Sequence, residues 1–121
     1  MGQQLRVLVA EDEPLIRALV TMAFEAEGYD VDTAADGAEA LAKACQQPPQ
    51  AIVLDLMMPR LDGWAVASLM RQGRLPQVPI VVVTAATDRW GYPAPPNRVL
   101  RKPFDLQELL DAVRAVARRS G

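Results

Sequence analysis

The chain has 121 residues, half of them apolar and 23% charged, with 13 Lys and Arg against 15 Asp and Glu for a net charge of −2. At roughly 100–200 residues per domain this predicts one domain over 1–121 with its core at about 5–118, and the composition excludes disordered, collagenous and coiled-coil classes. Acids and bases are mixed along the chain, leaving no basic footprint, so direct contact with nucleic acid is not expected.

Leu5–Ala10 is apolar apart from Arg6, as expected of a strand buried on both faces of a parallel sheet. Pro14 suits the first turn of a helix, and Ile16, Leu19, Val20, Ala23 and Phe24 keep one face until Gly28 stops it. Tyr29–Ala34 alternates as a shorter strand. Asp36-Gly-Ala-Glu39 resembles a capping box with Asp in the leading position, opening a second helix through Ala44 that Pro48 and Pro49 end. Ala51–Leu54 is a third strand, Ala65–Arg71 a third helix and Ile80–Val83 a fourth strand. An irregular piece then leads to a short strand at Val99–Leu100, and Asp105-Leu-Gln-Glu108 repeats the capping device before Leu109, Leu110, Val113 and Val116 of a last helix. Strands alternating with helices predict an α/β fold, a doubly wound parallel sheet whose ligands sit at the carboxyl ends of the strands.

The residues missing from the chain narrow its chemistry. It has no histidine, which excludes Ser-His-Asp catalysis, His-ligated metals and a phosphohistidine of its own. Cys45 is the one cysteine and has no basic neighbour in sequence to activate it, so it reads as an ordinary thiol in a reducing, cytoplasmic setting. Ala51–Pro59 and Val78–Ala86 are the longest apolar stretches, well short of the roughly 20 residues that span a bilayer, and Met1–Gln4 carries no export or lipid signal. No membrane partner is expected. Trp64 and the five methionines read as packing residues.

The strand ends carry the polar groups: Glu11 and Asp12 after the first strand, Asp55 at the end of the third, Thr84 at the end of the fourth and Lys102 after the fifth. Three carboxylates in one crevice repel one another unless a cation or proton intervenes, and an all-oxygen set suits Mg²⁺. Asp55 lies among core residues, where an unpaired charge is costly, and Lys102 is the available base.

Glu11-Asp12-Glu13, Asp55-Leu-Met-Met-Pro59 with Asp62-Gly63, Thr84-Ala85 and Lys102-Pro103-Phe104 together resemble the receiver domain of two-component response regulators, over about Leu5 to Arg118. The resemblance implies a flavodoxin-like five-stranded sheet in the order 2-1-3-4-5. It implies that Asp55 is the phosphoacceptor, taking a phosphoryl group from a phosphohistidine as an acyl phosphate. Mg²⁺ would be held by Asp12, Asp55 and the Met57 backbone carbonyl, with Glu11 acting through water; Lys102 and Thr84 would contact phosphoryl oxygens, and Ala85 would leave the site open. The implied partners are a sensor histidine kinase or histidine phosphotransfer protein, docked on Leu15, Ala18 and Met22, and an output partner or effector domain. A homodimer through the fourth strand, fifth strand and last helix is also implied. The domain would be a signalling phosphoacceptor, catalysing only its own phosphorylation and dephosphorylation, either stand-alone or as part of a longer protein.

Singly, each motif has a plainer meaning: Glu11 and Asp12 favour the helix dipole, Thr84 is a strand residue and Lys102 a solvated charge. Jointly they do not. Against a haloacid-dehalogenase-like phosphohydrolase, Met57 stands where a second acid is wanted and no cap domain is present. A pseudo-receiver would lack phosphorylation residues that are all here, and a nucleotide or flavin site lacks its glycine-rich loop.

The sequence departs from the family between the fourth and fifth strands. Only Ala85–Trp90 there is free of Gly and Pro, under two turns at ~3.6 residues per turn, while Pro93, Pro95 and Pro96 force extended geometry. A Pro-rich loop is therefore expected in place of the fourth helix, with Trp90 and Tyr92, or a partner, covering the sheet and Asp88–Asn97 reordering on phosphorylation. Val99 stands where the family has an aromatic switch residue.

Overall fold

The structure, a computed structural model, describes residues 5–58, 60–73, 75, 77–85 and 97–117. It runs β1 (Arg6–Ala10), α1 (Pro14–Ala26), β2 (Asp30–Ala34), α2 (Gly37–Gln46), β3 (Ala51–Asp55), α3 (Gly63–Gln72), β4 (Ile80–Thr84), β5 (Arg98–Arg101) and α4 (Leu106–Ala117). The five strands form one parallel sheet in the order β2-β1-β3-β4-β5. The segment 86–96, on which the expected Pro-rich loop and its reordering fall, lies outside the described residues.

Pleating sorts the central strands into two cores. Leu8 and Ala10 of β1, Ile52 and Leu54 of β3 and Ile80 and Val82 of β4 meet Ala40 and Ala44 of α2 and Val66 and Met70 of α3. The alternate residues Val7, Val9, Val53, Val81 and Val83 meet Val20 and Phe24 of α1 and Leu109 and Val113 of α4. Each fully buried aliphatic contributes about 1.5–3 kcal/mol, and both faces are filled, hence the continuous apolar runs.

Capping follows the expected pattern with two corrections. Asp36 Oδ1 accepts the Glu39 amide at 2.8 Å, but Glu39 returns to the amide of Ala35, one residue before the usual partner, also at 2.8 Å. Asp105 Oδ1 accepts the Gln107 amide at 2.9 Å rather than that of Glu108. The third helix begins two residues earlier than its periodicity indicated, because Asp62 caps it through the Ala65 amide at 2.9 Å. The methionines divide: Met58 and Met70 are core, but Met22 on the outer face of α1 and Met57 after β3 are about two-thirds exposed. Cys45 is exposed.

Candidate functional site

β1 lies between β2 and β3, so the chain leaves β1 through α1 on one face and β3 through α3 on the other. That divergence opens a crevice at the carboxyl ends of the strands. Glu11 and Asp12 enter it from the turn after β1, Asp55 ends β3, Thr84 ends β4, Lys102 follows β5, and Met57 is two residues past Asp55. Glu11, Asp55 and Thr84 are each only 2% exposed, whereas Asp12 keeps contact with solvent. The carboxylate oxygens of Glu11, Asp12 and Asp55 lie within 4.8 Å of one another.

Backbone bonds at the strand ends deliver these groups. The Glu11 amide donates to Ala34 O at 3.0 Å, carrying the β1–β2 pairing one residue further, and the Lys102 amide donates to Thr84 O at 2.8 Å beside β4. Lys102 Nζ lies 3.1 Å from Glu11 Oε1 and 3.2 Å from Asp55 Oδ2. The other carboxylate oxygens take backbone donors: the Glu13 amide reaches Glu11 Oε2 at 3.2 Å and the Met57 amide reaches Asp55 Oδ1 at 3.0 Å. The lysine expected to pair with Asp55 is thus shared equally with Glu11, which is more than a helix-end charge.

Burial, helped by the Asp55 charge and opposed by the Lys102 hydrogen bond, pushes Glu11 up to about 7. Burial alone would lower Lys102, but its hydrogen bond to Glu11 and the charge of Asp55 outweigh that and raise it. The crevice thus gathers three acids and one lysine, and Glu11 resists ionising there without a further cation. Such a hard oxygen set fits a small divalent cation like Mg²⁺.

Two contacts here had no reading in the sequence. Arg17 of α1 turns back onto the backbone of the acid turn, donating to Glu11 O at 2.8 Å. The loop after β3 is wedged in place: a Cβ at Gly37 would lie 1.6 Å from Leu61 O, and one at Gly63 would lie 2.7 Å from Asp55 O. Gly63 also donates its amide to Leu56 O at 3.1 Å, and Arg60 takes the left-handed conformation at φ 70°. Asp62-Gly63 is thus a cap followed by the residue whose missing side chain lets α3 close on the end of β3. The sequence signals were a cation in a helix's first turn and glycine next to a cap.

Leu15, Ala18 and Met22 are exposed on α1. Beside them Ile16, Leu19, Val20, Pro103, Phe104 and Leu106 line an open groove of about 510 Å³ that reaches Lys102. Val99 on edge strand β5 is 43% exposed. Among the described residues no helix is long and apolar enough to cross a membrane.

The sheet order and the strand-end acids with their shared lysine define a class of parallel α/β domain built around a polar crevice. The chain belongs to the response regulator receiver domain family, whose model matches residues 7–114. It is 40% identical over 120 residues to the DNA-binding dual master transcriptional regulator RpaA of Synechocystis sp., covering 95% of this chain and 50% of that protein. It is also 40% identical over 119 residues to the alkaline phosphatase synthesis transcriptional regulatory protein PhoP of Bacillus subtilis, covering 95% and 49%. The chain spans about half the length of the curated relatives it matches. Among solved structures, the Francisella response regulator 1452 receiver domain superimposes with a TM-score of 0.90 at 30% identity, covering 98% of this chain and 100% of that one. The receiver domain of sensor histidine kinase PA1611 from Pseudomonas aeruginosa PAO1, with a magnesium ion coordinated in its active-site cleft, gives 0.87 at 28% identity, covering 95% and 98%. These relatives do not favour the hydrolase or pseudo-receiver readings. Nor do they support the expectation of no direct nucleic-acid contact, since one of them is named as DNA-binding.

Proposed function

We propose that this domain accepts a phosphoryl group on Asp55 from the phosphohistidine of a sensor kinase or phosphotransfer protein, in a Mg²⁺-dependent step, and passes the change to an output partner or effector domain. The observation that carries it is a buried Asp55 whose two oxygens face Lys102 Nζ and the Met57 amide within a cluster of three acids. An Asp55 carboxylate oxygen attacks phosphorus; the O–P bond forms, the P–N bond breaks, and the electron pair returns to the donor imidazole, giving an acyl phosphate. Lys102 pairs with one phosphoryl oxygen and the Thr84 hydroxyl donates to another. Asp12, Asp55 and the Met57 carbonyl would hold Mg²⁺, with Glu11 acting through water; when bound, the cation offsets charge on the phosphoryl oxygens. The exposed Leu15, Ala18 and Met22 of α1 are the kinase-docking face. Two-component signalling of this kind places the domain in the cytoplasm.

The test is intact-protein mass spectrometry after incubation with a small acyl phosphate, with and without Mg²⁺. One phosphoryl mass shift is expected with Mg²⁺ alone and none in Asp55→Asn. A shift that survives in Asp55→Asn would overturn the assignment.

A further inference from the structure

Arg17 stands in the first turn of α1, where a cation opposes the positive end of the helix dipole, so the dipole does not account for it. α1 has no acidic residue in that turn and no side-chain cap from Glu13. Helical side chains lean toward the amino end, which carries residue 17 back over the turn that precedes the helix. There its Nη1 donates to Glu11 O at 2.8 Å and lies 3.5 Å from Asp12 O. Glu11 has other anchors, in Ala34 O, the Glu13 amide and Lys102. Asp12 carries no other hydrogen bond among the described residues.

We propose that Arg17 is a positioning residue for the cation-binding acids: by gripping the carbonyls of the acid turn it holds the Asp12 carboxylate where it meets those of Glu11 and Asp55. It grips backbone and, among the described residues, enters no ion pair, so it takes none of the three carboxylates from the cation. This role rests on the reading of Glu11, Asp12 and Asp55 as a Mg²⁺ site, and its sign separates it from simple electrostatics. A guanidinium near a divalent cation repels it, so loss of its charge alone would tighten Mg²⁺ binding. Loss of positioning weakens it.

Calorimetric titration with Mg²⁺ of the wild type, Arg17→Ala and Arg17→Lys decides between these, together with amide hydrogen exchange of the metal-free proteins. Arg17→Ala should bind Mg²⁺ about ten-fold more weakly, as expected when a partner that orients metal ligands is removed. It should also exchange faster at the amides of Glu11 and Glu13, which donate to Ala34 O and Glu11 Oε2. Arg17→Lys, with one shorter donor, should fall between and carries the same comparison should the alanine variant fail to fold. Equal or tighter Mg²⁺ binding by the variants overturns the role, as does weaker binding with unchanged exchange at the acid turn. A wild type that binds no Mg²⁺ overturns the metal reading itself, an outcome distinct from equal binding by all three proteins.

Discussion

Removing the ammonium of Lys102 should make the stability of the metal-free protein steeply dependent on pH. Lys102 Nζ is 3.1 Å from Glu11 and 3.2 Å from Asp55, both carboxylates almost wholly out of water. Burial and the Asp55 charge raise Glu11 from 4.5 to about 7, so at about 1.4 kcal/mol per pH unit its ionisation costs about 3 kcal/mol more in the folded protein than in the unfolded chain. In the wild type that loss is spread over the range from pH 4.5 to about 7 as pH rises and is complete above it. In Lys102→Met the opposing hydrogen bond is gone, so Glu11 keeps its proton further up the scale. Above pH 7 the folded variant then holds a proton that the unfolded chain has released, and its stability falls as pH rises by up to about 1.4 kcal/mol per pH unit. Desolvating the lysine has its own cost, whose removal shifts the variant's curve without changing its slope. The stability gap should therefore widen as pH rises from 7 to 9, by at most about 1.4 kcal/mol per pH unit. Mg²⁺ should narrow it, since without the Lys102 ammonium the cation meets less repulsion, binds the variant more tightly and so stabilises it more than the wild type. Urea unfolding at three pH values across that range, with and without Mg²⁺, measures this. A gap constant with pH and indifferent to Mg²⁺ would mean that Lys102 is not the counter-charge of the crevice.

Asp12→Asn should weaken Mg²⁺ binding more than Glu11→Gln, because direct ligation is lost in the first and a water-mediated contact in the second; equal affinities in a titration would contradict that division. Gly37 is the first residue of α2, so Gly37→Ala gains less than the ~1 kcal/mol of a helix interior. Its Cβ would nevertheless lie 1.6 Å from a backbone oxygen that no rotamer change can clear, and overpacking costs about 1–3 kcal/mol even where side chains yield. A net loss of roughly 2 kcal/mol is therefore expected, and a variant as stable as wild type in urea would refute the wedge. Ala18→Glu on the exposed face of α1 should slow phosphotransfer from the cognate kinase while leaving acceptance from a small acyl phosphate unchanged. Unaltered phosphotransfer would remove α1 as the docking face.

The α/β class, the strand cores and the polar residues at the strand ends were legible in the sequence, because each is a property of near neighbours. Val7, Leu8 and Val9 are all apolar since both faces of β1 are covered, and Asp55 stood out as a charge at the end of such a run. The family motifs added the sheet order, which periodicity alone does not encode. Only the tertiary structure decided which partners meet. Lys102 is 91 residues from Glu11 and 47 from Asp55, and nothing local to any of the three says that one ammonium serves both acids. The raised pKa of Glu11 follows from that shared burial. The return of Arg17 onto the acid turn and the wedge of Leu61 against Gly37 likewise depend on side-chain direction and on the approach of separate elements. Spacing along a chain constrains such contacts, and packing in three dimensions selects among them.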